Sequence, residues 1–341
     1  MSDTTHTIGT TGGEDERLDV GVIGVGSMGQ HHARVYDELP GANLVGVYDV
    51  DDERAAEIAY KHSTEAMEVD PLLESVDAVS IVVPTQYHYE LTTQCLDADV
   101  ATFVEKPVLG SLERADELLG AVRQADVPVQ VGHIERFNPA VSALSEIVPE
   151  LSVVSVRAQR LGPPPGRDIE DSAVMDLMIH DVDIVLSLLD ASPVAVQGTG
   201  VDENRHATAL LEFEGGTMAT LTASRKTQRK VRTLEITAEE CFVELDYIDQ
   251  SIEIHRNSVP EYIQENGDVR FKHESIVERP MISNAEPFRK ELESFLTVAA
   301  EGGEPEVPVE DGLEALRIAY WIEEQSLESP AKPTDAIAAD D

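Results

Sequence analysis

Between residues 20 and 131 the chain alternates two rhythms. Short apolar, β-branched runs at 20–23, 44–48, 78–83, 101–104 and 127–131 are separated by stretches of helical periodicity at 28–38, 53–61, 87–96 and 112–124. The runs fit strands buried on both faces, and the longer stretches fit amphipathic helices. Parallel strands need crossover connections, so this strict alternation predicts an α/β domain with a doubly wound parallel sheet covered on both faces.

Beyond residue 135 the pattern changes. A helix at 139–147, a strand at 153–160, a proline-rich loop at 162–166 and a long apolar helix at 174–189 lead into consecutive strands at 194–201, 207–213, 218–223, 234–238, 242–245 and 252–254. Glu214-Gly215-Gly216-Thr217 marks a hairpin, since glycine supplies positive φ where a strand reverses. Helices at 287–300 and 309–326 close the chain. Strands in succession followed by helices predict an α+β domain on an open, mainly antiparallel sheet. The expected organisation is a disordered acidic tail at 1–17, the α/β domain at 18–135, the α+β domain at 136–328 and a second disordered tail at 329–341. Two domains also suit the length of 341 residues, because a single core stops growing at roughly 250–300.

Charge narrows the partners. Aspartate and glutamate number 66 against 25 lysines and arginines, a net charge of −41 that excludes generic attraction to nucleic-acid phosphates or anionic membranes. Hydrophobic residues make up 42%, enough for real cores, so the acidity belongs to the surface of a folded protein. Lysine is scarce, and such a self-repelling surface is relieved by molar salt, where the screening length is about 3 Å; a halophilic origin is expected. Two cysteines, Cys95 and Cys241, do not make a disulfide framework. No run approaches the ~20 apolar residues of a bilayer span, and no charged-then-apolar signal segment opens the sequence. A cytoplasmic protein follows as the expectation.

Gly24-Val25-Gly26-Ser27-Met28-Gly29 stands directly after the first strand and opens the first helix. In that position Gly24 allows a tight turn, Gly26 a close approach of backbone to a pyrophosphate, and Gly29 close packing of helix on strand; Ser27 and Met28 lie on the turn itself. Twenty residues beyond Gly29, Asp49 ends the second strand, where a carboxylate accepts ribose hydroxyls and repels a 2′-phosphate, favouring NAD over NADP. Pro84 and Thr85 end the third strand and open its carboxyl end toward the same crevice. Each feature alone is compatible with an ordinary βα turn or a solvated carboxylate.

Two further groups carry candidate chemistry. Glu105-Lys106-Pro107 ends the strand at 101–104, where open α/β sheets bind ligands, although a surface ion pair would look the same. Asp176 and His180 are four residues apart in the apolar helix at 174–189, so they can share a face. A histidine oriented by a carboxylate is suited to take a hydroxyl proton; a core histidine with a structural aspartate is the other reading. No third ligand has metal-site spacing, so no metal is expected.

Together these segments, with Pro84-Thr85-Gln86-Tyr87-His88-Tyr89-Glu90 and Asp183, resemble the Gfo/Idh/MocA oxidoreductase family from about Leu18 to Gln325. The resemblance implies NAD(P) binding at Gly24, Gly26, Ser27, Met28, Gly29, Asp49, Pro84, Thr85, His88, Glu105 and Lys106. It also implies a Rossmann domain followed by a domain with an open antiparallel sheet, a catalytic group of Lys106, Asp176 and His180, with His180 as base and Lys106 polarising the substrate oxygen and contacting the cofactor, and a homodimer or homotetramer formed through the open sheet. One departure is Met178, where the family often has glycine.

Gly132-His133-Ile134-Glu135-Arg136-Phe137-Asn138-Pro139 is similar to the segment in members assigned as UDP-N-acetylglucosamine 3-dehydrogenases. That likeness implies a sugar or nucleotide-sugar substrate and makes Glu135, Arg136 and Asn138 pocket candidates beside Lys106, Asp176 and His180, with domain-junction hydrogen bonding as the competing reading. A free sugar or polyol is the alternative substrate, and a non-catalytic cofactor sensor is the alternative from another class. A diphosphate in so acidic a protein needs cations, and Arg157, Arg160 and Arg167 flank the proline-rich loop. The denser cluster Arg225, Lys226, Arg229, Lys230 and Arg232 is expected to form sheet-face or subunit-interface ion pairs.

Overall fold

The computed structural model describes residues 17–164, 166, 171–258, 261–265 and 268–327. The expected tails, apart from Arg17, and Arg167 lie outside the described residues. The first domain runs β1 (Leu18–Ile23), α1 (Gly29–Glu38), β2 (Ala42–Tyr48), α2 (Asp52–His62), β3 (Glu65–Ala66), α3 (Val69–Leu73), β4 (Ala78–Ile81), α4 (His88–Asp97), β5 (Ala101–Glu105), α5 (Ala115–Gln124) and β6 (Val129–Gly132). Its six strands are parallel in the order β3-β2-β1-β4-β5-β6. Strands as apolar as β4, buried at every position, need cover on both faces, and crossover helices supply it. Strand order reverses between β1 and β4, and the crevice outside their carboxyl ends is where such sheets take ligands.

The second domain contains α6 (Pro139–Ile147), β7 (Val153–Leu161), a π-helical turn Val174–Met178 continuing as α7 (Ile179–Leu189), and the strands β8 (Pro193–Val201), β9 (His206–Phe213), β10 (Met218–Ser224), β11 (Val231–Ala238), β12 (Phe242–Asp246) and β13 (Ser251–Asn257). Short strands β14 (Glu261–Glu265), β15 (Asp268–Lys272) and β16 (Ser275–Glu278) precede the closing helices α8 (Pro287–Glu301) and α9 (Val309–Leu327). Eight strands form one sheet in the order β16-β13-β12-β11-β7-β10-β9-β8, antiparallel except between β7 and β10. The β9–β10 hairpin turns through Gly215 and Gly216, both at positive φ, where the sequence places it. Buried positions alternate with more exposed ones along β7 and β9 to β12, leaving one covered face, and α7 lies against that face. Among the described residues no helix is long and apolar enough to cross a membrane.

The closing helices tie the halves together. Phe288, Leu292, Phe295 and Leu296 of α8 enter the core formed by Val20 and Val22 of β1, Phe103 of β5 and the inner face of α1. The segment before α9 adds to the edge of the first sheet, with the Val131 amide donating to the Val307 carbonyl at 3.0 Å. Hydrophobic burial therefore joins sequence-distant segments into one body.

Candidate active site

At the end of β1 the chain turns through Gly24 at φ +90°, where a Cβ would lie 2.5 Å from the Val82 carbonyl oxygen; a Cβ on Gly29 would lie 1.8 Å from that of Gly24. Backbone proximity excludes a side chain at both. At Gly26 a Cβ meets nothing within 4 Å, and Ser27 and Met28 beside it are exposed. No side chain caps the first turn of α1; the Gln30 and His31 amides donate to the Gly26 and Met28 carbonyls, and the positive end of the helix dipole faces the turn, where an anion is favoured. Asp49 is buried at the end of β2 and braces the turn: Oδ2 accepts from the Val25 amide at 2.9 Å, and Oδ1 from the Asp51 amide at 3.0 Å and Arg54 Nη1 at 3.1 Å. A carboxylate offers about four lone-pair sites, so Oδ2 keeps room for a ribose hydroxyl. Open space over Gly26, an uncapped helix terminus and this carboxylate fit a dinucleotide.

Pro84 and Thr85 follow β4, and Thr85 enters a cleft of about 540 Å³ that Lys106, Asp176 and Tyr320 also line. His88 is buried beneath them, with Nδ1 2.9 Å from the Pro107 carbonyl and Nε2 2.9 Å from that of Val83. Each ring nitrogen faces a main-chain carbonyl and the ring, kept neutral by burial, donates to one of them, so His88 braces the two loops of the crevice from inside. Glu105 likewise faces inward: Oε1 is 3.1 Å from His32 Nε2, whose Nδ1 is 3.0 Å from Ser80 Oγ, and Oε2 accepts from the Lys106 amide. Burial would raise its carboxyl, but His32 and Lys106 outweigh that and hold it below the ordinary value. It anchors the lysine loop from below.

Lys106 Nζ crosses to the second domain and donates to Asp176 Oδ1 at 3.0 Å and to the Asp176 carbonyl at 2.9 Å. The other carboxylate oxygen, Oδ2, pairs with Arg225. Burial favours the neutral acid, yet the two cations win and keep Asp176 ionised below the usual carboxylate range. The expectation that Asp176 orients His180 is corrected here. Residues 174–178 form a π-turn, which changes the register of an ideal α-helix, and the carboxylate is held by Lys106 and Arg225 instead.

His180 follows in the first turn of α7, outside the lining of the 540 Å³ cleft. Its Nδ1 is buried without a partner, leaving Nε2 as the nitrogen able to meet a hydroxyl. Burial, then the charges of Lys106 and Arg160, lowers its pKa well below 6.5, so the ring is a neutral base at physiological pH. His133 stands edge-on to it, ring centroids 6.3 Å apart. Both nitrogens of His133 lack hydrogen bonds, as do Gln130 Oε1, Tyr247 Oη and Glu291 Oε1, all buried. Burial, reinforced by Glu105, Glu135 and Asp183, raises the Glu291 carboxyl well above its ordinary value.

The remaining pocket candidates gather at the domain junction. Arg136 donates from Nε and Nη2 to Asp183 at 2.8 and 2.7 Å and reaches Asp311 at 3.1 Å. Arg160 is buried and saturated by Asp181 and by Glu135, the latter at 2.6 Å. Asn138 caps α6 through the Ala140 amide and donates to the Tyr247 carbonyl and to Glu135. Glu135 thus accepts from both Asn138 and Arg160, while Arg136 is held by Asp183 and Asp311; these pairings are the domain-junction bonds, since buried charges are stable only when paired. Arg157 is exposed, 3.7 Å from Glu235. Replacing Arg136 by Leu strands the Asp183 charge and is expected to lower stability by about 3–5 kcal/mol in urea unfolding, with little change in KM. Among the described residues the one His/carboxylate group with ligand spacing, Glu244, Glu253 and His255, lies on β12 and β13, away from this cleft.

A Gly-rich turn at a strand-order reversal, with a lysine from the same domain paired to an aspartate of a second domain that also brings a neutral histidine, defines a nicotinamide-dependent oxidoreductase acting on CH–OH groups. Two family models match: the oxidoreductase family NAD-binding Rossmann fold over residues 18–133 and the GFO/IDH/MocA C-terminal domain over 152–244. UDP-N-acetylglucosamine 3-dehydrogenase of Acidithiobacillus ferrooxidans is 37% identical over 246 residues, covering 70% of this chain and 77% of that protein. Scyllo-inositol 2-dehydrogenase (NAD(+)) of Bacillus subtilis is 31% identical over 235 residues, covering 62% and 68%. A solved structure of the Acidithiobacillus enzyme superposes with a TM-score of 0.80 at 31% identity, covering 91% of this chain and 97% of the other. The chain belongs to the Gfo/Idh/MocA oxidoreductase family.

Proposed function

We propose that the protein oxidises the 3-hydroxyl of UDP-N-acetylglucosamine with NAD as acceptor. The observation that carries the chemistry is Lys106 held on ionised Asp176 beside a neutral His180. The substrate comes from the 37% identity to the Acidithiobacillus enzyme. Gly24, Gly26, Gly29 and the α1 terminus would hold the diphosphate of the cofactor, Asp49 its ribose, and Pro84 and Thr85 would border it. Bound there, the nicotinamide supplies the hydride acceptor. His180 Nε2 takes the hydroxyl proton. Lys106 has three N–H donors and spends two on Asp176, so the third meets the substrate oxygen as negative charge grows on it. Asp176 fixes the lysine, and Arg225 fixes Asp176. The uncovered sheet face, with Thr208 and Thr222 bonded across β9 and β10, is the surface assigned to a homodimer or homotetramer.

The second reading, a free polyol substrate, draws on the inositol dehydrogenase relative. Nicotinamide absorbance in molar KCl, with UDP-N-acetylglucosamine, UDP-glucose, N-acetylglucosamine, glucose and myo-inositol offered in turn, separates them. Reduction only with UDP-sugars supports the proposal; turnover of inositol or glucose alone replaces it.

A further inference from the structure

Four arginines frame the catalytic helix, and three are consumed by carboxylates. Arg160 spends Nε, Nη1 and Nη2 on Asp181 and Glu135, Arg136 is held by Asp183 and Asp311, and Arg225 by Asp176 and the Asp171 carbonyl. Arg232 differs. It lies directly opposite Arg160 in the β7–β11 register, so both side chains leave the sheet on the face that α7 covers. Its Nη1 donates to the main-chain carbonyls of Leu161 at 2.7 Å and Val231 at 2.9 Å, and among the described residues it has no ion pair. Two carbonyls fix the plane of the guanidinium without neutralising it, and among the described residues Nε and Nη2 have no hydrogen-bond partner.

That arrangement is unusual in a chain with 66 acidic residues to 25 basic ones. Arg232 is half-buried, and its position opposite Arg160 puts it on the sheet face against which the catalytic helix packs; the charges of Arg160, Asp181, Glu135 and Asp176 all act on it. Arg229 and Lys230, exposed in the connection to β10, also lack ion pairs among the described residues, while Lys226 pairs with Asp202. The cations without an ion pair among the described residues are therefore a guanidinium fixed by two carbonyls and, two and three residues before it in the chain, two exposed side chains. A bidentate guanidinium edge matches two oxygens of a phosphate. In a glycosyl diphosphate the first phosphate stands one ring width from the 3-hydroxyl.

We propose that Arg232 binds the sugar-linked phosphate of a nucleoside diphosphate sugar through Nε and Nη2, with Arg229 and Lys230 facing the outer phosphate. The inference rests on the nucleotide-sugar reading of the substrate and adds the residue that selects it. Binding of UDP itself tests it, by calorimetry on the full chain saturated with NADH at fixed KCl. Arg232→Gln is expected to weaken UDP about tenfold to a hundredfold, Arg232→Lys less, with NADH affinity retained as the measure of intact folding. The exposed double variant Arg229→Gln/Lys230→Gln is expected to weaken UDP about threefold, an effect that fades with added salt. Wild-type affinity for UDP in Arg232→Gln overturns the phosphate site while leaving the substrate assignment standing. If the unmodified enzyme binds no UDP and oxidises only free polyols, the substrate assignment falls, and the phosphate site with it.

Discussion

Replacing His180 by alanine lowers kcat by about a hundredfold to ten-thousandfold, the range general-base catalysis supplies, while the affinity for NADH stays within about twofold. The reason is spatial: the cofactor cradle belongs to β1, α1 and β2, and His180 reaches it only from the second domain. The pH dependence follows from the same environment. Burial and the neighbouring cations lower the folded pKa well below 6.5, so the base stays deprotonated as pH falls through the range in which a free histidine protonates. The acid limb of kcat/KM is therefore expected below pH 6.5, and an acid limb at or above that value would remove His180 as the base. Stability moves with it. Between 6.5 and the depressed folded value the unfolded chain binds a proton that the native ring refuses, so acidification across that window destabilises the fold.

The second large effect separates two glycines of one motif. In Gly26→Ala the new methyl meets no protein atom within 4 Å, so the melting temperature stays near that of the parent. The methyl projects into the space assigned to the diphosphate, and NADH affinity is expected to fall about a hundredfold, read by fluorescence titration. In Gly29→Ala the methyl lands 1.8 Å from the Gly24 carbonyl oxygen, and the helix must leave the strand. That variant is expected to lose several degrees of thermal stability with cofactor absent, by the overpacking that costs about 1–3 kcal/mol or more. Unchanged NADH binding in Gly26→Ala would move the cofactor elsewhere.

The alternation of apolar runs and amphipathic segments was sufficient to place β1, β2, β4, β5 and β6 and the helices α1, α2, α4 and α5 between them, because each buries a continuous apolar face. It gave no sign of β3, only two exposed residues long, or of the short strands β14 to β16. Lys106, Asp176 and His180 were legible as a group. Their pairings were not: the spacing of Asp176 and His180 suggests a bond along one helix, whereas the carboxylate answers the strongest charges nearby, Lys106 and Arg225, from segments 70 and 49 residues away. The likeness that makes Glu135, Arg136 and Asn138 pocket candidates likewise leaves their present partners unstated: Arg160 for Glu135, Asp183 and Asp311 for Arg136, and the Tyr247 carbonyl for Asn138. Sequence shows a charge, but not the partner that consumes it. His133 belongs to a quoted motif, yet its place against His180 depends on how β6 and α7 meet. The unspent edge of Arg232 is visible only once the other arginines have been paired in space.

The return of α8 to the first domain sets the order in which this protein can be completed. A ribosome releases β1 to β6 long before Phe288, Leu292 and Phe295 exist, and until then Val20, Val22 and Phe103 lack part of their cover. The nucleotide-binding half is thus finished almost last, although it is made first. A nascent chain must hold that sheet open through the synthesis of the whole second domain, and a fragment ending before residue 287 carries an apolar face that α8 would otherwise close.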